Sequence, residues 1–202
     1  MAAVITNGVH WAVAARSHSD GEPSGDLHVV VPVRQGVLVA VVDGIGHGEE
    51  AAAAARAAAR CFEQNAGQGH ILTLAADCHE ALRGTRGAVA SIALFNRESR
   101  VLIWLGVGNV ECVRFSAGAA APDRLLLRPG ILGHALPPLR AEALPLATGD
   151  TVLFATDGIR SDFDAAYMAG DSPESLVERV MTQARKEQDD ALALAARYVG
   201  RP

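Results

Sequence analysis

The sequence lacks any stretch of the roughly 18 consecutive apolar residues that a transmembrane helix requires. Its N-terminus, MAAVITNGVHWAVAARS, has no basic region ahead of its apolar residues, so it does not read as a signal peptide. Cysteine is scarce: Cys61, Cys78 and Cys112 are widely spaced, odd in number and form no CxxC pair. Neither a zinc site nor a disulfide framework is therefore indicated, and the three read as small buried residues of a reducing, cytoplasmic compartment. Long like-charge runs are also absent, and a net charge of −5 argues against a nucleic-acid binder. Three nucleophile, nucleotide and zinc signatures are missing too: there is no GxSxG, no GxxxxGK[ST] and no HExxH.

What is present is apolar and of one-domain size. Half of the 202 residues are hydrophobic, enough for one sizeable core, and the whole chain is expected to form one domain. The organising stretch is Val37 to Glu50, VLVAVVDGIGHGEE. Six consecutive apolar residues read as a strand buried on both faces. The strand ends in Asp43-Gly44, which places a carboxylate on rigid backbone at a sheet end. Gly44, Gly46 and Gly48 keep the following loop free of side chains, so that an ion or phosphate can approach the backbone.

Taken in order, Val9 to Arg16 reads as a first strand, and HSDGEPSG (His18 to Gly25) as a loop dense in turn formers. Leu27 to Val33 and Val37 to Val42 form a hairpin around Gln35-Gly36. Glu49 to about Gln64 is a helix with acidic residues in its first turn and a run of alanine, closed by Asn65 and Gly67. A second helix covers roughly His70 to Leu82. AVASIALF and RVLIWLGV then make an antiparallel hairpin around Asn96 to Ser99. Val110 to Phe115 and Arg124 to Leu127 add short strands, and Gly130 to Pro145 reads as loop. Thr151 to Ala155 is a second buried strand that ends in Asp-Gly, at Asp157-Gly158. Ser172-Pro173 starts a helix running to about Gln188, and Asp189-Asp190 precede a last strand, Ala191 to Val199. Strand follows strand and the helices come in blocks, which predicts an α+β fold of antiparallel sheets covered by helices in layers.

Four carboxylates share one local setting at strand boundaries: Asp26, Asp43, Asp157 and Asp189. Any one of them is an ordinary turn residue. Two wholly apolar strands ending the same way are more specific, because their terminal carboxylates converge if the strands lie side by side. Converging carboxylates repel unless protonated or holding a cation. All-oxygen donors select hard divalent ions such as Mg²⁺ or Mn²⁺, and a pair of these activates water for attack on a phosphoryl group.

DGIGHG, then GDTVLFATDGI, then a late Asp-Asp before a strand resemble the PPM (type 2C) metal-dependent protein serine/threonine phosphatases, in the bacterial branch of SpoIIE, RsbU and RsbX. The resemblance runs from Ser24 to about Tyr198. It implies a four-layer α-β-β-α sandwich with two central antiparallel sheets, and two Mn²⁺ or Mg²⁺ ions as cofactors. Catalytic roles fall on Asp43, Asp157 and Asp189. Asp43 is expected to bridge the two metals and the Gly44 carbonyl to bind one of them. Asp26 is expected to bind a metal directly or through water, and Asp157 and Asp189 to complete the first metal's shell. Asp190 takes a supporting role, and His47 reads as a residue that fixes the loop. The phosphate-binding Arg of eukaryotic-type members has only Arg16 as a nearby counterpart, and Gly106 to Asn109 is assigned no catalytic role.

A bare catalytic domain resembles the RsbX type within that branch. This implies a cytoplasmic feedback phosphatase acting on phosphorylated STAS-domain scaffold and antagonist proteins of the stressosome. A general phosphatase opposing other kinases, a non-catalytic pseudophosphatase that binds partners, and a structural metal-binding protein stay open as alternatives. Oligomeric state is not legible.

Overall fold

The computed structural model describes residues 4–18, 23–68, 70–119, 121–136 and 138–200. Part of the turn-rich segment anticipated at His18 to Gly25, residues 19–22, lies outside the described residues. Among the described residues, eleven strands and three α-helices follow one another in this order: β1 (Val4–Thr6), β2 (Val9–Arg16), β3 (Asp26–Val33), β4 (Gly36–Gly44), α1 (Gly48–Asn65), α2 (Ile71–Ala81), β5 (Ala88–Asn96), β6 (Val101–Val107), β7 (Glu111–Phe115), β8 (Asp123–Arg124), β9 (Glu142–Pro145), β10 (Thr151–Ala155), α3 (Pro173–Ala184) and β11 (Ala191–Tyr198).

The strands form two sheets, ordered β1-β2-β11-β10-β7-β8 and β3-β4-β5-β6-β9, with antiparallel neighbours throughout. Alternation along β4 shows why its sequence is uniformly apolar. Leu38, Ala40 and Val42 pack under α1 and α2, while Val37, Val39 and Val41 face the other sheet. In β10, Val152 and Phe154 point between the sheets, and Leu153 and Ala155 point toward α3. A strand buried on both faces has no position for a polar side chain until it ends. The layers are therefore α1/α2, sheet, sheet, α3, which is the expected α-β-β-α sandwich.

Small side chains set how closely the layers lie. The α3 face of β11 is Ala191, Ala193 and Ala195. On the other side, α1 buries Ala51, Ala52, Ala54, Ala55 and Ala58. A Cβ on Gly44 would come within 2.1 Å of the Ala51 carbonyl oxygen, so glycine is required where the first turn of α1 presses on the end of β4.

Four expectations are corrected. The strand β1 was not anticipated, although Asn7 (φ 42°) and Gly8 (φ 84°) form the Asn-Gly turn that favours a two-residue hairpin. The segment expected as a strand over Arg124 to Leu127 pairs only at Asp123–Arg124, where the Arg114 guanidinium donates to Asp123 at 2.6 and 2.9 Å. Glu142–Pro145, read as loop, is β9. It pairs with β6 in a register that sets Glu142 opposite Trp104, whose indole N–H donates to the Glu142 carboxylate at 3.1 Å. Finally, α3 stops at Ala184 rather than near Gln188, because Arg185 turns extended to bridge Ile159 and the Lys186 amide donates to the Gly158 carbonyl.

Candidate active site

The antiparallel register carries the start of β3 and the end of β4 to the same pole as the end of β10 and the start of β11. Asp26 and Asp43 are paired partners on β3 and β4. Asp157 follows β10, and Asp189-Asp190 lead into β11. β4 and β10 are not neighbours in one sheet, as side-by-side packing would require. They belong to facing sheets, and their carboxylates meet across the open end of the sandwich. There a cleft of about 650 Å³ is lined by Asp43, Asp157, Asp189 and Asp190, by the loop Ile45 to Gly48, and by Asn109. Of the residues expected in the site, Asp26 and Gly44 are not on the cleft wall; both are buried just behind it. The Gly44 amide donates to the Gly25 carbonyl, which ties the ends of β3 and β4 together.

The electrostatics are those of crowded carboxylates. Burial, then the charges of Asp26, Asp157, Asp189 and Asp190, push Asp43 up to about 8. Among the described residues no hydrogen-bond donor offsets this. Asp26 is pushed up to about 7, first by burial and then by Asp190, Asp157 and Asp189, against a lowering hydrogen bond from Thr156. That bond is 2.7 Å, and the same hydroxyl accepts the Leu192 amide at 2.9 Å. Asp189 is also raised, by burial and by Asp157. Asp190 moves the other way: burial raises it, but the amides of His18 (2.8 Å) and Gly25 (2.7 Å) and the hydroxyls of Ser24 and Ser17 outweigh that and hold it low. Its oxygens are thus committed to the protein, whereas those of Asp43 are not.

Several residues of the site were given no role in it by the sequence. Asn109 donates its amide to Asp157 Oδ2 at 3.0 Å and lines the cleft, so GVGN does more than turn the chain. The backbone around Asp157 is fixed by Lys186, the only lysine of the chain, whose ammonium donates to the Asp157 carbonyl at 2.6 Å. Arg86 lies over Gly46, where an added Cβ would meet its Nη1 at 2.6 Å, and pairs with Glu50 at 2.5 Å. Arg16, the nearby counterpart considered for a phosphate-binding Arg, donates to the adjacent Ala15 carbonyl. Among the described residues no three His, Cys, Asp or Glu side chains form a preformed ligand cluster.

The geometry can be set beside known proteins. The phosphoserine phosphatase RsbX of Bacillus subtilis (strain 168) is 25% identical over 155 residues, covering 76% of this chain and 77% of that protein. A chain solved in work on the bacterial stressosome, a modular system adapted to control secondary messenger signaling, superposes with a TM-score of 0.84. It is 31% identical and the match covers 94% of this chain and 99% of that one. RsbX solved in complex with magnesium superposes at 0.86 with 22% identity, over 97% and 98% of the two chains, which shows a shared fold. The sequence model of Stage II sporulation protein E (SpoIIE) matches residues 34–199, a span that holds Asp43, Asp157 and Asp189, and the chain belongs to that family.

Proposed function

We propose that this protein is a metal-dependent phosphoserine/phosphothreonine protein phosphatase whose reaction centre is the carboxylate cleft. The observation that carries the reading is Asp43: a half-buried carboxylate at the cleft wall, facing four other carboxylates and reached by no donor among the described residues. Such a group needs a proton or a cation, and an all-oxygen surround fits Mg²⁺ or Mn²⁺. Asp43, Asp157 and Asp189 are the residues that would hold two such ions, with Asp26 behind them and the Gly44 carbonyl beside. Bound there, the ions supply Lewis acidity to a water and to the phosphoryl oxygens, so no nucleophilic side chain is required.

The chain's own residues prepare this site. Asn109 fixes the carboxylate of Asp157, and Lys186 fixes its backbone. Thr156 orients Asp26. Asp190 serves as a brace, pinning Gly25 and His18 against the start of β11. Gly158 allows the two aspartate-bearing segments to touch, since a Cβ there would come within 1.8 Å of the Asp190 carbonyl oxygen. These supports matter because a ligand displaced by a fraction of an ångström loses its productive geometry.

For the substrate, the reading is a phosphorylated STAS-domain scaffold or antagonist protein, in an RsbX-like feedback role. The family membership, the likeness to RsbX and the 31% identity to a chain from work on the stressosome support it. The test is hydrolysis of a phosphorylated STAS-domain protein and of an unrelated phosphoserine protein, each with EDTA, Mg²⁺ or Mn²⁺, by wild type and Asp43→Asn. Metal-dependent release from the STAS protein alone, lost in the variant, is expected. Equal release from both proteins would overturn the substrate assignment, and no release with any metal would overturn the enzyme.

A further inference from the structure

The pole of the sandwich opposite the carboxylate cleft holds a second cavity, of about 450 Å³. It lies beside the β5–β6 turn and is lined by Arg97, Glu98 and Arg100 of that turn, by Leu146 and Thr148 between β9 and β10, and by Tyr198 at the end of β11. Backbone hydrogen bonds hold these three segments together. The Leu146 amide donates to the Arg100 carbonyl, and the Gly149 amide to the Tyr198 carbonyl, both at 2.8 Å. The eight residues of β11 separate the cavity from Asp189-Asp190 by about 25 Å, at roughly 3.3 Å per residue. A cavity of this volume is in the range of small-molecule sites.

Its wall carries donors that the fold does not use. Arg114, Arg124 and Arg179 each bind an aspartate, but among the described residues neither Arg97 nor Arg100 has an acidic partner. Tyr198 is 4% exposed, and it packs in the core between the sheets. Every fully enclosed side-chain nitrogen or oxygen among the described residues has a hydrogen-bond partner. The Tyr198 hydroxyl has none among them, so it reaches the open space of the cavity. Phenylalanine would fill the same core space without this polar end. The turn is also fixed in place. Asn96 Oδ1 accepts the amides of Glu98 and Ser99 at 3.0 Å, and the Arg97 amide donates to the Gln35 carbonyl at 2.9 Å. Arg100 is held at φ 54°, a region that glycine enters freely and arginine rarely. A long cationic side chain kept at such a position points to a use for it.

We propose that this cavity binds a small phosphate monoester with a hydroxylated organic part, at a site separate from the carboxylate cleft. Guanidinium groups suit phosphate because their forked N–H donors match its oxygens, and two of them offset a dianion. The Tyr198 hydroxyl adds a donor from β11. Arg34 stands in the neighbouring turn, which the Gln35 carbonyl joins to the β5–β6 turn, and adds to the positive potential of this pole. Inorganic phosphate alone would leave most of the 450 Å³ unfilled, so the ligand carries an organic part. Glu98 is the one carboxylate on the wall. It repels phosphate and accepts hydrogen bonds from hydroxyl groups, while Thr148 can pair with either. The phosphate therefore sits toward Arg97, Arg100 and Tyr198, and the hydroxyl groups toward Glu98 and Thr148.

The experiment is amide NMR of the isotope-labelled full chain in EDTA, titrated with ribose 5-phosphate, with inorganic phosphate, and with NaCl at matched ionic strength. Ribose 5-phosphate is expected to shift the amides of Arg97, Arg100, Thr148 and Tyr198 saturably, with a Kd of about 1 mM or below, and inorganic phosphate to bind about 10-fold more weakly. Arg97→Ala/Arg100→Ala is expected to abolish saturation, and Tyr198→Phe to weaken binding by about 10-fold. Arg100→Gly should weaken binding yet melt no lower than wild type, which separates loss of the contact from loss of the fold. The proposal is overturned if neither phosphate shifts these amides saturably, if NaCl reproduces the shifts, or if the double alanine variant binds as wild type does. Inorganic phosphate binding as tightly as ribose 5-phosphate would overturn the organic part of the ligand.

Discussion

Asp26 and Asp43 stand directly opposite each other in the register of β3 and β4. Opposed residues on paired strands have Cβ atoms about 5 Å apart, and like charges so placed repel. Only one of the two is relieved, since the Thr156 hydroxyl serves Asp26 and nothing described serves Asp43. The sandwich thus places a destabilising pair where β3 begins and β4 ends, at the cleft. Strained or repulsive groups of this kind mark sites where a ligand supplies what the fold does not.

A pH dependence follows from that pair. Asp43 and Asp26 move from ordinary carboxylate values near 3.8 to about 8 and about 7 on folding. Between those limits the folded chain holds more protons than the unfolded one, so stability falls as pH rises. The stability from these two groups is fully present below their unfolded values and is lost as pH passes about 7 to 8. Asp190, held low, works oppositely, but its contribution disappears only at acid pH, outside this window. Urea unfolding in EDTA is therefore expected to show stability declining from about pH 5 to about pH 8. Saturating Mg²⁺ or Mn²⁺ should flatten the decline. A flat or rising profile in EDTA would contradict the electrostatic reading.

Asp43→Asn is expected to separate stability from activity. The amide keeps the shape, removes one of the repelling charges and removes the central metal ligand. Phosphatase activity should fall by more than about 100-fold, since loss even of residues that only support metal ligands costs 10- to 100-fold. In EDTA at about pH 8 the variant should nevertheless melt higher than wild type, by a few degrees, because about 1 kcal/mol moves Tm by roughly 2–4 °C in a chain of this size. A melting temperature below that of wild type under those conditions would refute the argument.

Much of this architecture was legible from one-dimensional pattern. VLVAVVD and TVLFATD announced buried strands ending in carboxylates because burial on both faces leaves no polar position before the end. That β4 and β10 belong to facing sheets was not legible, since both placements bury the same residues and hydrogen-bonded pairing leaves no mark in an all-apolar run. Asn109 escaped because its partner, Asp157, lies 48 residues away. The end of α3 was misplaced because helix propensity continues through Arg185-Lys186-Glu187, and a tertiary bridge to Ile159 overrides it. The Asn7-Gly8 pair, by contrast, is a turn signal that the sequence does carry.

Two glycines distinguish a defect at the site from a general loss of stability. Neither Gly158 nor Gly36 has room for a side chain: an added Cβ would lie 1.8 Å from the Asp190 carbonyl oxygen in one case and 1.8 Å from that of Phe95 in the other. Alanine at either position must push backbone aside, costing on the order of 1–3 kcal/mol. Gly158→Ala displaces the segment that carries Asp189 and Asp190, whereas Gly36→Ala acts at the opposite end of β4. Both are expected to lower Tm. Only Gly158→Ala should weaken Mn²⁺ binding, by about 10-fold or more, as measured by calorimetric titration at a temperature where both variants are folded. Equal metal affinities would show that the Gly158–Asp190 contact does not position the site.

Thr156 links the carboxylates to the fold itself. Its hydroxyl is buried, donates to Asp26 at 2.7 Å and accepts the Leu192 amide at 2.9 Å. Thr156→Val keeps the volume and removes both bonds. The Leu192 amide loses one acceptor, and Asp26 loses the one interaction that opposes its burial and its acidic neighbours. A stability cost of about 1–3 kcal/mol is expected. The more diagnostic effect is on protons. With its pKa raised further, Asp26 keeps a proton at neutral pH that metal binding must expel. Mn²⁺ affinity should therefore drop near pH 7, and titrations in buffers of different ionisation enthalpy should show more protons released per ion than in wild type. Raising the pH to about 9 should restore most of the affinity, and Thr156→Ser should behave like wild type throughout. If the valine variant bound Mn²⁺ equally weakly at both pH values, Thr156 would be acting through packing, and the proton linkage between Asp26 and the metal would be wrong.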